Sequence, residues 1–161
     1  MHKLSTKSKE QFNTLHPDLK LVIEEALKHS SIDFGITEGH RTPETQFEYF
    51  KKGRKLVDDK WVISDVSKVI TYVDGFKVKG KHNHSPSLAF DFFASVPGKN
   101  LSYDTNHLIA LGSTFVTIGN MLYERGDILR KVRWGGNFDR DGEILESGTF
   151  IDSPHIELED A

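Results

Sequence analysis

Residues 88–94, LAFDFFA, constrain this chain more than any other stretch. Side chains alternate along an extended strand, so Leu88, Phe90 and Phe92 share one face while Ala89, Asp91 and Phe93 share the other. Both faces are apolar except for one carboxylate. A charge in such a strand is costly unless something compensates it. Asp91 therefore needs a partner: a cation, a hydrogen-bond network or a metal ion.

The rest of the composition narrows those options. The 161 residues suffice for one domain, and a chain of this size buries roughly 68–70% of its unfolded surface. With no cysteine there is no disulfide framework and no thiolate site, so any metal must be held by His, Asp and Glu. The net charge of −3 gives no electrostatic footprint for nucleic acid. No basic amphipathic stretch points to a membrane surface, and no run approaches spanning length. The opening MHKLSTKSKEQFN lacks the apolar core of a secretion signal, so synthesis without one is expected.

The pattern of elements predicts an α+β fold, a small antiparallel sheet flanked by helices. HPDLKLVIEEALKHS places Leu19, Val22, Ile23, Ala26 and Leu27 on one helical face, with Pro17 in the first turn. IDFGIT reads as a short strand. In EGHRTPETQFEYFKKG, Thr42 can cap a helix, Pro43 suits its first position and Gly53 can end it. Residues 54–80 read as loop with short strands at KWVI and KVITYV. A long helix follows SYDTNH, where Leu108, Leu111, Phe115, Ile118 and Leu122 recur at helical spacing, and Gly112 and Gly119 permit close packing on the sheet. The strand KVRWGG, a polar loop at 137–149 and the strand HIELE complete the order.

Two histidines precede the Asp91 strand. His84 lies seven residues before it, across a Ser-Pro-Ser turn able to fold the chain back, and DSPHIEL near the C-terminus offers His155 with Asp152 three residues earlier. Two histidines, one aspartate and an open position for water compose a catalytic-type zinc site. The same histidines also fit a structural, hydrogen-bonded role.

These residues resemble a known family. His84-x6-Asp91 followed by Asp152-x-x-His155 is similar to the pattern S-x-H-x-x-G-x-A-x-D … (D/E)-x-x-H of the zinc D-alanyl-D-alanine carboxypeptidases and the phage L-alanyl-D-glutamate endopeptidases. GHRTPETQ resembles their G-[YF]-R-[ST]-x-x-x-Q, placing Arg41 and Gln46, and RWGGNF resembles their W-G-G-x-W. The four stretches run in the family's order over roughly residues 5–158. Two positions depart: His82 stands where the family has Ser, and Ser87 where it has Gly. Alignment on Ala89 and Asp91 selects His84 as the first ligand and leaves His82 as a neighbour or supporting donor.

The resemblance implies that residues 1–161 form a single zinc peptidase domain of the hedgehog/D,D-peptidase type, with His84, Asp91 and His155 holding one catalytic Zn²⁺. A zinc ion with an open position acidifies its water. Asp152 is then the general base, and Arg41 stabilises the oxyanion or clamps a substrate carboxylate. Gln46 supports the fold or the substrate cleft, and Trp134, beside Gly135 and Gly136, lines that cleft or sits in the core. The expected activity is hydrolysis of peptidoglycan stem peptides between L-alanine and D-glutamate. A monomeric phage or prophage endolysin would do this, reaching the wall through a holin-type route. A D-alanyl-D-alanine carboxypeptidase is the alternative, and a non-catalytic binding module built on the zinc fold is another.

A second ion site is suggested by NFDRDGEILE. Asn137, Asp139, Asp141 and Gly142 follow the first half of an EF-hand loop and Glu146 can add an oxygen, although the twelfth position is Gly148. A calcium ion and a plain Asp-Gly turn both fit these residues.

Overall fold

The computed structural model describes residues 1–148 and 150–161; Thr149, the last residue of the predicted polar loop, lies outside the described residues. The order is α1 (Thr6–Asn13), α2 (Pro17–His29), β1 (Asp33–Glu38), α3 (Pro43–Lys51), β2 (Arg54–Val57), β3 (Lys60–Ile63), β4 (Ala89–Val96), β5 (Lys99–Ser102), α4 (Thr105–Glu124), β6 (Val132–Trp134) and β7 (His155–Leu158). Single 3-10 turns occupy Val66–Lys68 and Lys81–Asn83.

The main sheet runs β1-β4-β7-β6, with β5 paired to the far end of β4, and every pairing is antiparallel. This is the α+β architecture expected. The FDF strand sits at its centre because it is apolar on both sides. Phe90, Phe92 and Ala94 are fully buried on one face, where α4 delivers Phe115 edge-on to Phe34, Phe90 and Phe92 at centroid distances of 5.0, 5.2 and 5.1 Å. Leu19, Val22, Ile23 and Ala26 of α2 complete this core, as their helical spacing requires.

The opposite face of the sheet carries the polar chemistry. Directly opposed residues of an antiparallel pair point to the same side. Asp91 pairs with His155 of β7 and with Glu38 of β1. The second pairing depends on a bulge: Ile36 opposes Phe92, yet Glu38 opposes Asp91, so β1 spends two residues where β4 spends one. The extra residue turns Glu38 onto the polar face, a common use of a bulge beside a functional site.

Several elements were not legible beforehand. The helix α1 is polar except for Phe12, and it forms where Ser5 caps it and the buried Ser8 accepts the Ile36 amide at 3.0 Å. KWVI is a strand, but its partner β2 and the later β5 lack a clean alternation. KVITYV is not a strand: its backbone joins no ladder, and the Gln46 side chain bonds to Thr71 and Val73 instead. The β2–β3 hairpin closes through Asp58 and Asp59, both in the left-handed region at φ 49° and 61°, the geometry of a type I′ turn.

Trp134 belongs to the core. It is only 3% exposed, its indole N–H donates to the Ser153 carbonyl at 2.6 Å, and it faces α4 at Gly112. A Cβ on Gly112 would sit 2.3 Å from the indole. Gly112→Ala should therefore destabilise the fold by about 1–3 kcal/mol, overpacking outweighing the better helix propensity of alanine. Urea unfolding followed by Trp fluorescence checks this, and an unchanged midpoint would contradict it.

Candidate active site

Three side chains converge on the polar face: His82 from the 3-10 turn before β4, Asp91 from β4 and His155 from β7. His82 Nε2 lies 3.2 Å from His155 Nδ1 and 3.4 Å from Asp91 Oδ1, and His155 Nδ1 lies 3.1 Å from the same oxygen. The far side of each imidazole fixes its tautomer. His82 Nδ1 lies 2.7 Å from the Gly39 carbonyl, which can only accept, so this nitrogen carries the proton. His155 Nε2 donates to Glu157 at 2.8 Å. In their neutral forms both imidazoles then aim bare lone pairs at each other and at a carboxylate oxygen.

Three acceptors at such distances need something positive between them. A tetrahedral ion with ligands at about 2.0–2.1 Å sets donor–donor edges of about 3.3 Å, which the triangle matches. Without a metal, a proton fills the role. Burial opposes charge on His155, but Asp91, Glu157 and Asp152 outweigh it and raise its pKa to about 9. Burial likewise opposes ionisation of Asp91, yet the bonds from His155 and His82 hold its carboxyl well below the usual range. Imidazole and carboxylate donors with their outer sides already hydrogen-bonded fit a zinc-type ion.

His84 is not part of this triangle. It points into a basic setting, where burial, Lys79, Lys81 and Arg130 lower its pKa. The family spacing assumes a tight return to the strand. Here the chain makes a 3-10 turn at Lys81–Asn83, the Leu88 amide bonds to Lys81 O at 3.0 Å, and Ser87 is tied to Thr14 and His16. The return is two residues longer, so His82 takes the inward position. The second histidine was visible in the sequence, but the path of the loop was not.

A supporting layer holds the triangle. Arg133, paired with Glu157 across β6 and β7, also forms an ion pair with its carboxylate. Burial raises the Glu157 pKa, but His155 and Arg133 bring it down to about 2, keeping it ionised to orient the ring. Glu157 went unnoticed in the sequence, although its place two residues after His155 on one strand face was the available signal. On the other side, Gly39 O receives His82, and the Arg41 amide donates to His82 O at 2.8 Å. The Gly39 and His40 amides are in turn held by Gln11 of α1 and by Thr14, the residue that caps it.

Arg41 is fixed rather than mobile. Glu38 accepts from its Nε at 2.7 Å and Nη2 at 2.6 Å, Gln46 accepts from Nη1 at 2.9 Å, and the Tyr49 ring lies 4.9 Å away. Nη2 stands 3.9 Å from Asp91 Oδ2. Burial works against its charge, but Glu38 and Asp91 keep it ionised. Gln46 is 3% exposed and its side chain is bonded to Arg41, Thr71 and Val73.

Asp152 reaches the triangle from the loop before β7. Its Oδ2 is 3.9 Å from His155 Nδ1 and its side chain is 42% exposed, so it touches both the site and water. Burial, reinforced by the Asp91 charge, raises its pKa against the pull of His155, His82 and Arg41. Its backbone is clamped to Gly135, where an added Cβ would meet the Asp152 carbonyl at 2.0 Å. The glycine after Trp134 therefore sets where this carboxylate stands.

The loop after Phe138 brings exposed Asp139, Asp141 and Glu146 together, with carboxylate oxygens within 4.8 Å of one another. Two of them serve the turn itself: Asp139 Oδ1 accepts the Asp141 amide and Asp141 Oδ1 the Glu143 amide.

The comparisons decide the family. A family model described as phage L-alanyl-D-glutamate peptidase matches residues 1–159. The chain belongs to that family. Membership makes it a peptidoglycan peptidase, a hydrolase of the endolysin type. A crystal structure of the Serratia marcescens L-Ala D-Glu endopeptidase ChiX shares the fold, with a TM-score of 0.61 and 22% identity over 98% of this chain and 91% of that one. No similar protein is found among curated sequences. Among the described residues no helix is long and apolar enough to cross a membrane.

The histidines give a direct check on the centre. His82→Ala should abolish metal binding, while His84→Ala should still take up about one ion per chain when titrated with Zn²⁺; the reverse would restore His84 as ligand. Glu157→Gln should weaken zinc binding by about 10–100-fold, the usual effect of removing such an outer partner.

Proposed function

We propose that this family member is a zinc-dependent endopeptidase, cutting stem peptides between L-alanine and D-glutamate with His82, Asp91 and His155 as ligands. The observation that carries the reading is the triangle of inner ligand atoms, which converge at distances that suit a metal ion while their outer atoms are already hydrogen-bonded. When bound there, zinc supplies a Lewis acid and an acidified water.

The chain's own residues supply the rest. Asp152 takes the proton of the attacking water at its half-exposed carboxylate and returns it to the leaving amine. Its raised pKa suits that exchange, since a base works best when its pKa approaches the operating pH. Arg41, held by Glu38 and Gln46, presents fixed positive charge where an oxyanion develops, and no reorganisation is needed at the moment of reaction. One domain spanning 1–161 contains all these parts, and we take it to act as a monomer on the wall after release from the host cell. A calcium ion at Asn137, Asp139, Asp141 and Glu146 is a second element of the reading, supported by the converging carboxylates and by the buried Asn137 Oδ1, which has no hydrogen-bond partner among the described residues.

Asp152→Asn should keep the fold and one zinc per chain while lowering the rate about 10²–10⁴-fold, the range for a lost general base. Mass spectrometry of digested peptidoglycan should find new D-glutamate N-termini. Release of free D-alanine instead would establish the carboxypeptidase alternative, and full activity of the variant would remove Asp152 from the mechanism.

A further inference from the structure

Charge is segregated in this chain. Residues 50–81 hold nine Lys and Arg against four Asp, an excess of +5 in a chain of net charge −3, which leaves −8 on the remainder. The β2–β3 register, Lys55 with Val62 and Val57 with Lys60, puts these four on one face of the hairpin. Trp61, on the other face, meets Phe47 of α3 edge-on at 5.9 Å. The lysine-bearing face thus turns away from the body of the protein. Lys77 and Lys79 are exposed on the segment leading into His82. Lys68 and Lys81 are paired with Asp65 and Asp160, but Lys55, Lys60, Lys77 and Lys79 form no ion pair among the described residues.

Exposed rings accompany the charge. Tyr72 is 70% and Phe76 57% exposed, far above what core aromatics show. The surface also adjoins the active site: Gln46 binds Arg41 with its oxygen and Thr71 and Val73 with its nitrogen, at 2.9, 3.2 and 2.9 Å. Tyr72 therefore lies between two residues tied to the side chain that positions Arg41.

We propose that this surface docks the enzyme onto the peptidoglycan mesh, its lysines pairing with free stem-peptide carboxylates and Tyr72 and Phe76 lying against sugar rings. The ligand rests on the peptidase reading above; the proposal extends it from the bond cut to the polymer held. Stem peptides carry free carboxylates, so the mesh is a polyanion complementary to the +5 of residues 50–81, whereas the rest of the chain carries −8. That asymmetry favours an approach through residues 50–81, which adjoin Arg41 through Gln46.

The test replaces Lys55, Lys60, Lys77 and Lys79 together by Gln, with unchanged melting as the fold control. Four exposed charge contacts, each a factor of about two, multiply to roughly tenfold. Pelleting with purified sacculi at 4 °C should weaken by that factor, and the wild-type affinity should fall with added salt. KM on sacculi should rise in parallel while kcat and cleavage of soluble muropeptides stay unchanged. Unchanged pelleting would overturn the proposal. So would an equal loss on soluble muropeptides, which would place the lysines in the catalytic cleft, or a loss confined to phosphatidylglycerol vesicles, which would make the surface a lipid site. Wild-type protein inert on soluble muropeptides would refute the peptidase reading alone, because pelleting needs no cleavage.

Discussion

Two imidazole nitrogens and a carboxylate oxygen face each other within 3.4 Å, and with both imidazoles neutral none of the three carries a hydrogen. Such an arrangement is repulsive unless a positive charge sits inside it. Much of the surrounding structure exists to hold that triangle: the Gly39 carbonyl and Glu157 take the outer imidazole protons, and Arg133 keeps Glu157 ionised. A proton on His155 supplies that charge, held by the Asp91, Glu157 and Asp152 carboxylates, and a metal ion at the same place would have to displace it.

The sheet makes this polar cluster tolerable in a small protein. Alternation along β4 and β7 puts Asp91 and His155 on one side and Phe90, Phe92, Ile156 and Leu158 on the other, so chemistry and core share the same strands without mixing. The bulge in β1 adds Glu38 to the polar row, and Glu38 fixes Arg41. On the far side, Gly112 lets Trp134 settle against α4 while Gly135, its neighbour, lets the Asp152 backbone approach β6. Packing on one face and placement of a carboxylate on the other are thus set within two consecutive residues.

The charge distribution adds a direction to this frame. Residues 50–81 are basic and the rest of the chain acidic, and α3 joins the basic stretch to the site, since its Gln46 touches both Arg41 and the segment after the hairpin. A polymer held by the hairpin would therefore lie beside the catalytic groups.

The sequence by itself determined the central strand, the apolar faces of α2 and α4 and the capped start of α3, and it singled out Asp91, Asp152 and His155 as candidates. These follow from local periodicity and short motifs, which depend on neighbours close in the chain. Tertiary structure alone decided which histidine joins them. His82 and His84 are chemically identical, and the choice rests on a 3-10 turn whose Lys81 carbonyl accepts from Leu88, with Ser87 beside it tied to Thr14 and His16 from the start of the chain. It likewise decided that Trp134 faces the core, that Gln46 serves Arg41, and that the polar segment at Thr6–Asn13 becomes a helix. Each of those outcomes is fixed by a contact between distant segments, and no local pattern encodes such a contact.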